Sequence, residues 1–317
     1  MTAGSADPVA RVRIWRVLIG SAVPAALLGV GLGWALAHPA GPQASAVTGG
    51  AAVAFGIAVF GLAWLPATTG ASAAAIARPV AIGAMLWAIA AFLTSWIEVA
   101  ERADRSLTAV STTDFFTVSG NGLPSLVATG CAVLAALWAW SQLLGGARSI
   151  QIGPELAGAV TAVGVCVGPV TGHLGQHDFG SVAVAVHTLA AAWWCGSLAA
   201  IALVARGRRD WARLLPVFSR RAPWAVGALT VSGIIVAVMQ LDSVGAIVDT
   251  GYGRVMVAKL VGLIALLGLA WRHRSRWVPR AADHRATEAE SLRHAVLETL
   301  LMAVVLGLAA ALATTAA

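Results

Sequence analysis

Three histidines and one aspartate of this chain lie close together in the sequence, where one apolar segment ends and the next begins. His173, His177 and Asp178 fall in the turn Gly172-His-Leu-Gly-Gln-His-Asp, and His187 follows inside the next segment. Imidazole suits Cu(II) and Zn(II), whereas Cu(I) prefers sulfur ligands, so this turn does not select one metal. Its residue types predict a metal-binding site, in which Asp178 is either an oxygen ligand or an acceptor that orients a ligating histidine.

The elements that carry these residues are predicted to be membrane-spanning helices. The 317 residues are 59% hydrophobic and 11% charged, with a mean hydropathy of +0.82, whereas soluble domains carry roughly 25% charged residues. A helix needs about 20 apolar residues to cross the hydrocarbon core. Nine segments satisfy this need: about 14–36, 46–65, 78–98, 123–145, 155–173, 181–205, 222–241, 254–271 and 293–314. Because few of them alternate with period two, we predict an all-α transmembrane bundle rather than a barrel.

The arginines predict how this bundle is oriented, because cytoplasmic loops carry an excess of basic residues. Three arginine clusters are present. The first, before the first span, consists of Arg11, Arg13 and Arg16; the second, between the sixth and seventh spans, of Arg206, Arg208, Arg209, Arg213, Arg220 and Arg221. The third, between the eighth and ninth spans, consists of Arg272, Arg274, Arg276, Arg280 and Arg285. The N-terminus is therefore predicted to be cytoplasmic, the C-terminus external, and the histidine turn external. The first apolar segment exceeds the 7–15 residues of a signal peptide, so we predict an uncleaved span.

Two residues within the spans could extend a metal path. His187 lies about two turns, or roughly 10 Å, inside the sixth span, deep enough to receive an ion from the turn. A histidine that only donates a hydrogen bond between helices is the alternative. Met239, near the external end of the seventh span, offers a soft sulfur, with ordinary packing as its alternative.

A second polar group lies where the chain re-enters the membrane at the start of the eighth span. It consists of Tyr252, Arg254 and Lys259, the single lysine of the sequence. Lys259 is not expected to bind a metal, because an ammonium group has no lone pair. Its long side chain could instead extend along the helix to the membrane interface. We predict that Lys259 pairs with Asp249, Asp242 or another carboxylate within the membrane and fixes the geometry of the seventh and eighth spans.

Glu298 is predicted to lie about one turn inside the ninth span, after Arg293 and His294. Its carboxylate could carry protons, receive a departing cation or pair with an arginine, and pairing is the favoured interpretation. We assign structural or gating roles to Trp194, Tyr252, Arg254, Lys259 and Glu298.

Several other functions find no support in the sequence. The net charge of +7 arises in short loops beside the spans, where topology and anionic lipid explain it without a nucleic acid. Cys131, Cys166 and Cys195 all lie within apolar segments and predict no disulfide. No HExxH, GxSxG, P-loop or phosphorylation motif occurs, so we predict that the protein is not an enzyme.

The second half of the chain contains an ordered series of short motifs. They are His187-Thr-Leu-Ala-Ala-Ala-Trp193-Trp194-Cys-Gly196-Ser-Leu198, Phe218-Ser219, Ser232-Gly233, Thr250-Gly-Tyr-Gly-Arg254 with Lys259, Trp271-Arg-His-Arg-Ser-Arg before Pro279, and Arg293 with Glu298. Together with Gly172-His173, this series resembles the copper resistance D family, and most closely its actinobacterial branch. The cytochrome oxidase assembly domain often fused to that branch has no counterpart in this sequence. The resemblance runs from about 165 to 314.

The resemblance implies a multi-pass protein of the plasma (inner) membrane that imports or handles copper. We therefore divide the chain into helices 1–4 over residues 1–150, which match only in general character, and a copper resistance D-like module over 151–317. Two departures are present. Trp194-Cys-Gly-Ser197 stands where the family usually has Trp-Val-Gly-Gly, and His273 stands where many relatives have asparagine.

Two alternatives use the same residues. Paired histidines on neighbouring helices can ligate haem, so His173 with His187 or His38 could form a membrane electron carrier. The chain could also deliver copper to an external copper-binding protein or a copper enzyme as an accessory factor. The expected partners are thus a copper ion and the lipid bilayer, with such a protein as a further one.

Overall fold

A computed structural model describes residues 8–39, 41–117, 122–145, 153–172, 179–240 and 249–315. Across these ranges the chain is helical and contains no strand. Nine helical segments within them are long and apolar enough to cross a membrane. The prediction of an all-α bundle of nine spans is therefore confirmed.

Twelve α-helices build the described part of the chain. Their bounds are α1 Pro8–Leu18, α2 Ala22–Ala37, α3 Ser45–Thr69, α4 Ala73–Ala103, α5 Thr112–Thr117, α6 Gly122–Leu144, α7 Pro154–Thr171, α8 Gly180–Val204, α9 Gly207–Gln240, α10 Gly251–Arg272, α11 Val278–Ala282 and α12 Glu288–Ala313. A 3₁₀ turn joins α1 to α2, and a π-helical turn at His273–Trp277 joins α10 to α11. The first span thus combines α1 with α2, and the eighth combines α10 with α11.

The seventh span begins much earlier than its apolar segment suggested. We predicted about 222–241, whereas α9 starts at Gly207. The first turns of α9 are amphipathic: Trp211, Leu214, Leu215 and Phe218 are buried at helical spacing, while the arginines between them occupy other faces. A hydropathy criterion alone excludes such a stretch, because its charged residues offset its apolar ones.

Glycines allow the central helices to approach closely. In α3 and α8, a side chain on Gly61 would overlap the backbone of Gly196. In α2 and α12, a side chain on Gly307 would overlap the backbone of Ala26. Small residues of this kind stabilise helix pairs in membranes, where close van der Waals packing replaces the hydrophobic effect. These two crossings connect helices of the first 150 residues to helices of the remainder.

The two ends of the bundle differ in their polar contacts. At the end that we call the arginine end, Arg16 of α1 donates to the carbonyl of Ala205 and pairs with Glu288 at the start of α12. At the opposite end, Arg254 of α10 reaches the last carbonyls of α2. Because α8 ends at the arginine end, where Arg16 contacts Ala205, the start of α8 at Gly180 lies at the opposite end.

Candidate functional site

His187 lies in α8, seven residues after its first residue, and faces α9. Its Nδ1 is 3.1 Å from the carbonyl oxygen of Leu229 and 3.3 Å from Oγ of Ser232. A side chain on Gly233 would come within 3.1 Å of the imidazole Cε1, so the ring rests on a helix surface without a side chain. The predicted depth of about two turns agrees with this position.

The hydrogen bonds of His187 define which nitrogen is available. A carbonyl oxygen can only accept, so the bond to Leu229 requires the proton to be on Nδ1. The hydroxyl of Ser232 donates to the carbonyl of Ala228 at 2.6 Å and can therefore accept from the same N–H. Nε2 carries the lone pair, and no described residue hydrogen-bonds to it. This arrangement, with one ring nitrogen anchored to the backbone, is typical of histidines that ligate metals.

The other predicted ligands are placed apart from His187 or lie outside the described residues. His173, His177 and Asp178 belong to residues 173–178, which the structure does not describe, so their part in the site stays a prediction. Met239 is half-buried near the end of α9. It lies seven residues, or about 10 Å, beyond Ser232. Within the described ranges, no group of three or more His, Cys, Asp or Glu side chains is arranged to hold a metal ion.

Tyr252 and Arg254 connect the start of α10 to two other helices. The Tyr252 hydroxyl donates to Oε1 of Gln240 at the end of α9. Arg254 donates to the carbonyl oxygens of Leu36 at 2.8 Å and His38 at 3.0 Å. Carbonyls at a helix C-terminus lack partners within the helix and carry partial negative charge. Arg254 therefore caps α2, a contact over 218 residues that no local pattern could reveal.

Among the described residues, Lys259 forms no ion pair. Asp249 is exposed, and no described carboxylate oxygen lies within 4.0 Å of the ammonium group. Asp242, the other predicted partner, lies outside the described residues. Lys259 is close enough to His187 to act on it electrostatically. Pairing with Asp249 is therefore absent from the described contacts, and pairing with Asp242 stays a prediction.

Glu298 has a histidine as its described partner, where we expected an arginine. Its Oε2 lies 2.6 Å from Nδ1 of His273, and only 3% of Glu298 and 5% of His273 are exposed. Because α12 begins at Glu288, Glu298 lies about 15 Å along the helix rather than one turn inside it. The sequence marks His273 as a departure from the family but does not predict this contact, since 25 residues separate the pair.

A cavity of about 190 Å³ adjoins this pair. Its wall contains Glu298, His273 and the fully buried Trp194. The rest of the lining is mostly apolar and aromatic, and Arg274 at the edge donates to the carbonyl of Ser219 in α9. Trp194 therefore forms part of the wall of this cavity, and its structural role stays a prediction. All three cysteines are free.

Residues 212–312 match the family model described as copper resistance protein D. The match begins in α9 and extends through α10 and α11 to the end of α12. It contains Met239, Tyr252, Arg254, Lys259 and Glu298, and it confirms the resemblance over this third of the chain. No curated protein and no solved structure matches the chain.

The match to copper resistance protein D links residues 212–312 to copper resistance or copper handling. These residues belong to a membrane protein with nine candidate spans among its described residues. His187 and the histidine turn lie before its first residue. The resemblance that we expected from about 165 to 211 therefore remains a prediction. His187 and the pair of His273 and Glu298 are therefore supported by different observations. The match to copper resistance protein D covers the pair, whereas hydrogen-bond geometry supports His187.

Proposed function

We propose that this protein imports or handles copper across the plasma membrane without catalysing a chemical reaction. Copper binds first at the external end through His173, His177 and Asp178 and then passes to Nε2 of His187. From there it crosses the bundle of the fifth to eighth spans, α7 to α11, toward the cytoplasm, with Met239 as an additional sulfur ligand. The N-terminus and the arginine end are cytoplasmic in this arrangement.

The tautomer of His187 is the observation that carries the proposal. The Leu229 carbonyl fixes the proton on Nδ1, so the lone pair of Nε2 is available without any rearrangement. Lys259, which acts electrostatically on the same ring, opposes a second positive charge beside it.

The test measures copper accumulation in cells that express the wild type, His187→Ala or His173→Ala at equal membrane levels. Either substitution removes a ligand, so accumulation should fall toward that of cells without the protein. His284→Asn is the matched control, because His284 is exposed in the turn before α12. Unchanged accumulation in both ligand variants would overturn the proposed path.

The haem alternative requires a second imidazole opposite His187. His38 is exposed and its backbone carbonyl accepts from Arg254, and no described histidine ring contacts that of His187. A reduced-minus-oxidised spectrum of the purified protein decides between the two proposals, because haem absorbs strongly and copper bound by imidazole does not. Copper that is bound but not accumulated would instead favour delivery to an external partner protein.

A further inference from the structure

His273 and Glu298 place one unbalanced negative charge inside the bundle. An ionised carboxylate only accepts hydrogen bonds, so the 2.6 Å contact places the proton of His273 on Nδ1. With a neutral imidazole, the pair then carries the negative charge of Glu298, although only 3% of Glu298 and 5% of His273 are exposed. Buried charges in membrane helices are costly, and they typically mark ion pathways and proton relays. The pair therefore has a reason to bind a cation.

The second ring nitrogen of His273 is the place where a proton can bind. No described residue hydrogen-bonds to Nε2, which carries the lone pair when the proton is on Nδ1. A proton at Nε2 forms one new N–H bond, leaves the N–H bond at Nδ1 intact and makes the pair neutral overall. A carboxylate beside such an imidazolium stabilises it without taking up the proton itself. The ring packs edge to face on His294 and Trp277, which leaves little room for a metal ion, whereas a proton adds only a hydrogen atom.

The cavity of about 190 Å³ provides a route for this proton. One water molecule needs roughly 10–15 Å³ of such space and two to four polar partners, so the cavity can hold several. Its polar lining consists of Glu298, His273, Ser219 and Arg274. Arg274 is exposed, so water in the cavity can connect the pair to the solvent at the arginine end.

The cavity lies between His187 and the arginine end. Trp194, which forms part of its wall, follows His187 by seven residues, or two turns on the same face of α8. On α9, the lining residue Val226 lies three residues before Leu229, whose carbonyl contacts His187. An ion that leaves His187 toward the arginine end therefore approaches the charge of the pair.

The other titratable and charged groups around the pair do not balance its charge. They are Cys195 of α8, Arg272 at the end of α10, Arg274 in the π-helical turn, and Glu290, Arg293 and His294 of α12. Among the described residues that line the cavity, α9 contributes no charged side chain, and Arg16 of α1 is paired with Glu288. The three arginines of the list are exposed, and water weakens their interaction with a buried carboxylate.

We infer that His273 and Glu298 form a proton-binding site, and that its protonation weakens the attraction of the adjoining cavity for a copper ion. The unprotonated pair attracts a cation, whereas the pair with a proton at Nε2 is neutral and does not. By the reciprocity of linked equilibria, a cation in the cavity also favours release of the proton. The proton site can be tested without copper, and only its effect on copper rests on the proposed function.

The first experiment follows the proton site in purified full-length protein that contains no copper. Nitrogen NMR of isotope-labelled histidines distinguishes imidazole from imidazolium from about pH 8 to pH 5, the range in which histidine ordinarily titrates. The signal of His273 is the one that His273→Asn lacks, and it should become that of an imidazolium. Glu298→Gln removes the stabilising carboxylate and should lose most of this imidazolium signal at the same pH. Glu290→Gln is the matched control, because Glu290 lies on the same helix and pairs with Arg280.

The second experiment measures copper uptake into proteoliposomes that contain a chromophoric Cu(I) chelator, with equal pH on both sides. Uptake by the wild type should fall with pH, by up to about tenfold per pH unit, the limit for one competing proton. Glu298→Gln has a neutral wall and should be slow at every pH. His273→Asn keeps the carboxylate without the titrating ring, so it should retain the rapid uptake of high pH at lower pH values. A merely structural role would slow both variants, whereas a charge effect moves them in opposite directions.

Two results would refute the inference. One is a His273 ring that stays neutral throughout the titration, and the other is a single pH profile of uptake shared by the wild type, Glu298→Gln and His273→Asn. Failure of the proposed function looks different. Wild-type protein that takes up no copper, or uptake that is unchanged in His187→Ala, contradicts the copper path, while the NMR titration still decides whether the proton site exists.

Discussion

Lys259 is the residue whose environment most clearly conflicts with its charge. It lies well inside α10, and no described residue forms an ion pair or hydrogen bond with it. A charged lysine near the centre of a membrane helix costs about 2–3 kcal/mol on insertion scales. We therefore expect Lys259→Met to raise the temperature of thermal unfolding in detergent, while Lys259→Arg, which keeps the charge, should not.

The opposite result would also be informative about Lys259. A lower unfolding temperature in Lys259→Met would mean that the ammonium has a stabilising partner. Asp242, which lies outside the described residues, would be the first candidate for that partner, and Asp242→Asn should then produce a similar loss of stability.

Asp114 provides a pH-dependent contact in the connection between the third and fourth spans. Its Oδ2 accepts from the backbone N–H and the hydroxyl of Ser111, each at 2.8 Å, and from Arg105 at 3.1 Å. The two bonds from Ser111 hold the pKa of Asp114 below its ordinary value of 3.8, with a smaller contribution from Arg105. A lowered pKa stabilises the folded state above the ordinary value, and this stabilisation is lost as the pH falls through the lowered value.

We therefore expect hydrogen exchange of residues 104–117 to be slow at neutral pH and to accelerate, relative to its intrinsic rate, below about pH 4. Asp114→Asn should exchange faster at neutral pH and lose this acceleration. Asp104→Asn is the control, because Asp104 is exposed at the end of α4 and should leave the pH profile intact. An identical profile in Asp114→Asn would show that the carboxylate does not hold this connection.

At the scale of helices, the crossing of α3 and α8 has the strictest steric requirement. A methyl group on Gly61 would overlap the backbone of Gly196, and backbone cannot move aside as a flexible side chain can. We expect Gly61→Ala to destabilise the protein by about 1–3 kcal/mol, the usual range for overpacking. Gly130→Ala in α6 is the control, because nothing lies within 4 Å of its new Cβ. Equal unfolding temperatures for the two variants would contradict this crossing.

The helices also show what the sequence could and could not predict. Apolar length predicted nine spans because each must cover the same hydrocarbon thickness. It misplaced the start of α9, since Trp211, Leu214 and Phe218 bury an amphipathic face that mean hydropathy does not detect. The sequence also pointed to His187, whose depth follows from counting residues along one helix.

Apolar length and residue counting could not predict contacts between helices that lie far apart in the sequence. The bonds from Arg254 to α2 and from His273 to Glu298 depend on which helices become neighbours, and neither periodicity nor composition encodes that choice. Pairing of Glu298 with an arginine was a reasonable expectation because arginines precede it in the sequence. The buried histidine, which arrives from another helix, is its described partner instead.

At the scale of the whole molecule, the helices before residue 150 pack intimately against those after it. Gly307 of α12 packs against Ala26 of α2, and Gly196 of α8 against Gly61 of α3. We expect residues 151–317 expressed alone to aggregate in detergent, because these small-residue surfaces lose their partners. Co-expression with residues 1–150 should restore a monodisperse complex, as measured by size-exclusion chromatography. Monodisperse, folded protein from 151–317 alone would show that the module is independent.

The helices of the bundle differ greatly in how much protein surrounds them. In the most apolar stretch of α8, 61% of the residues are buried, and in that of α12, 50%, against 11% for α9 and 17% for the span formed by α10 and α11. Helices solvated mainly by lipid can tilt or slide while breaking few protein contacts. The proposed copper route therefore runs between α8, a well-buried helix that carries His187, and the helices α9 and α10, which face mostly lipid. A small rocking motion of α9 would move the Leu229 carbonyl and, with it, the orientation of the His187 ring.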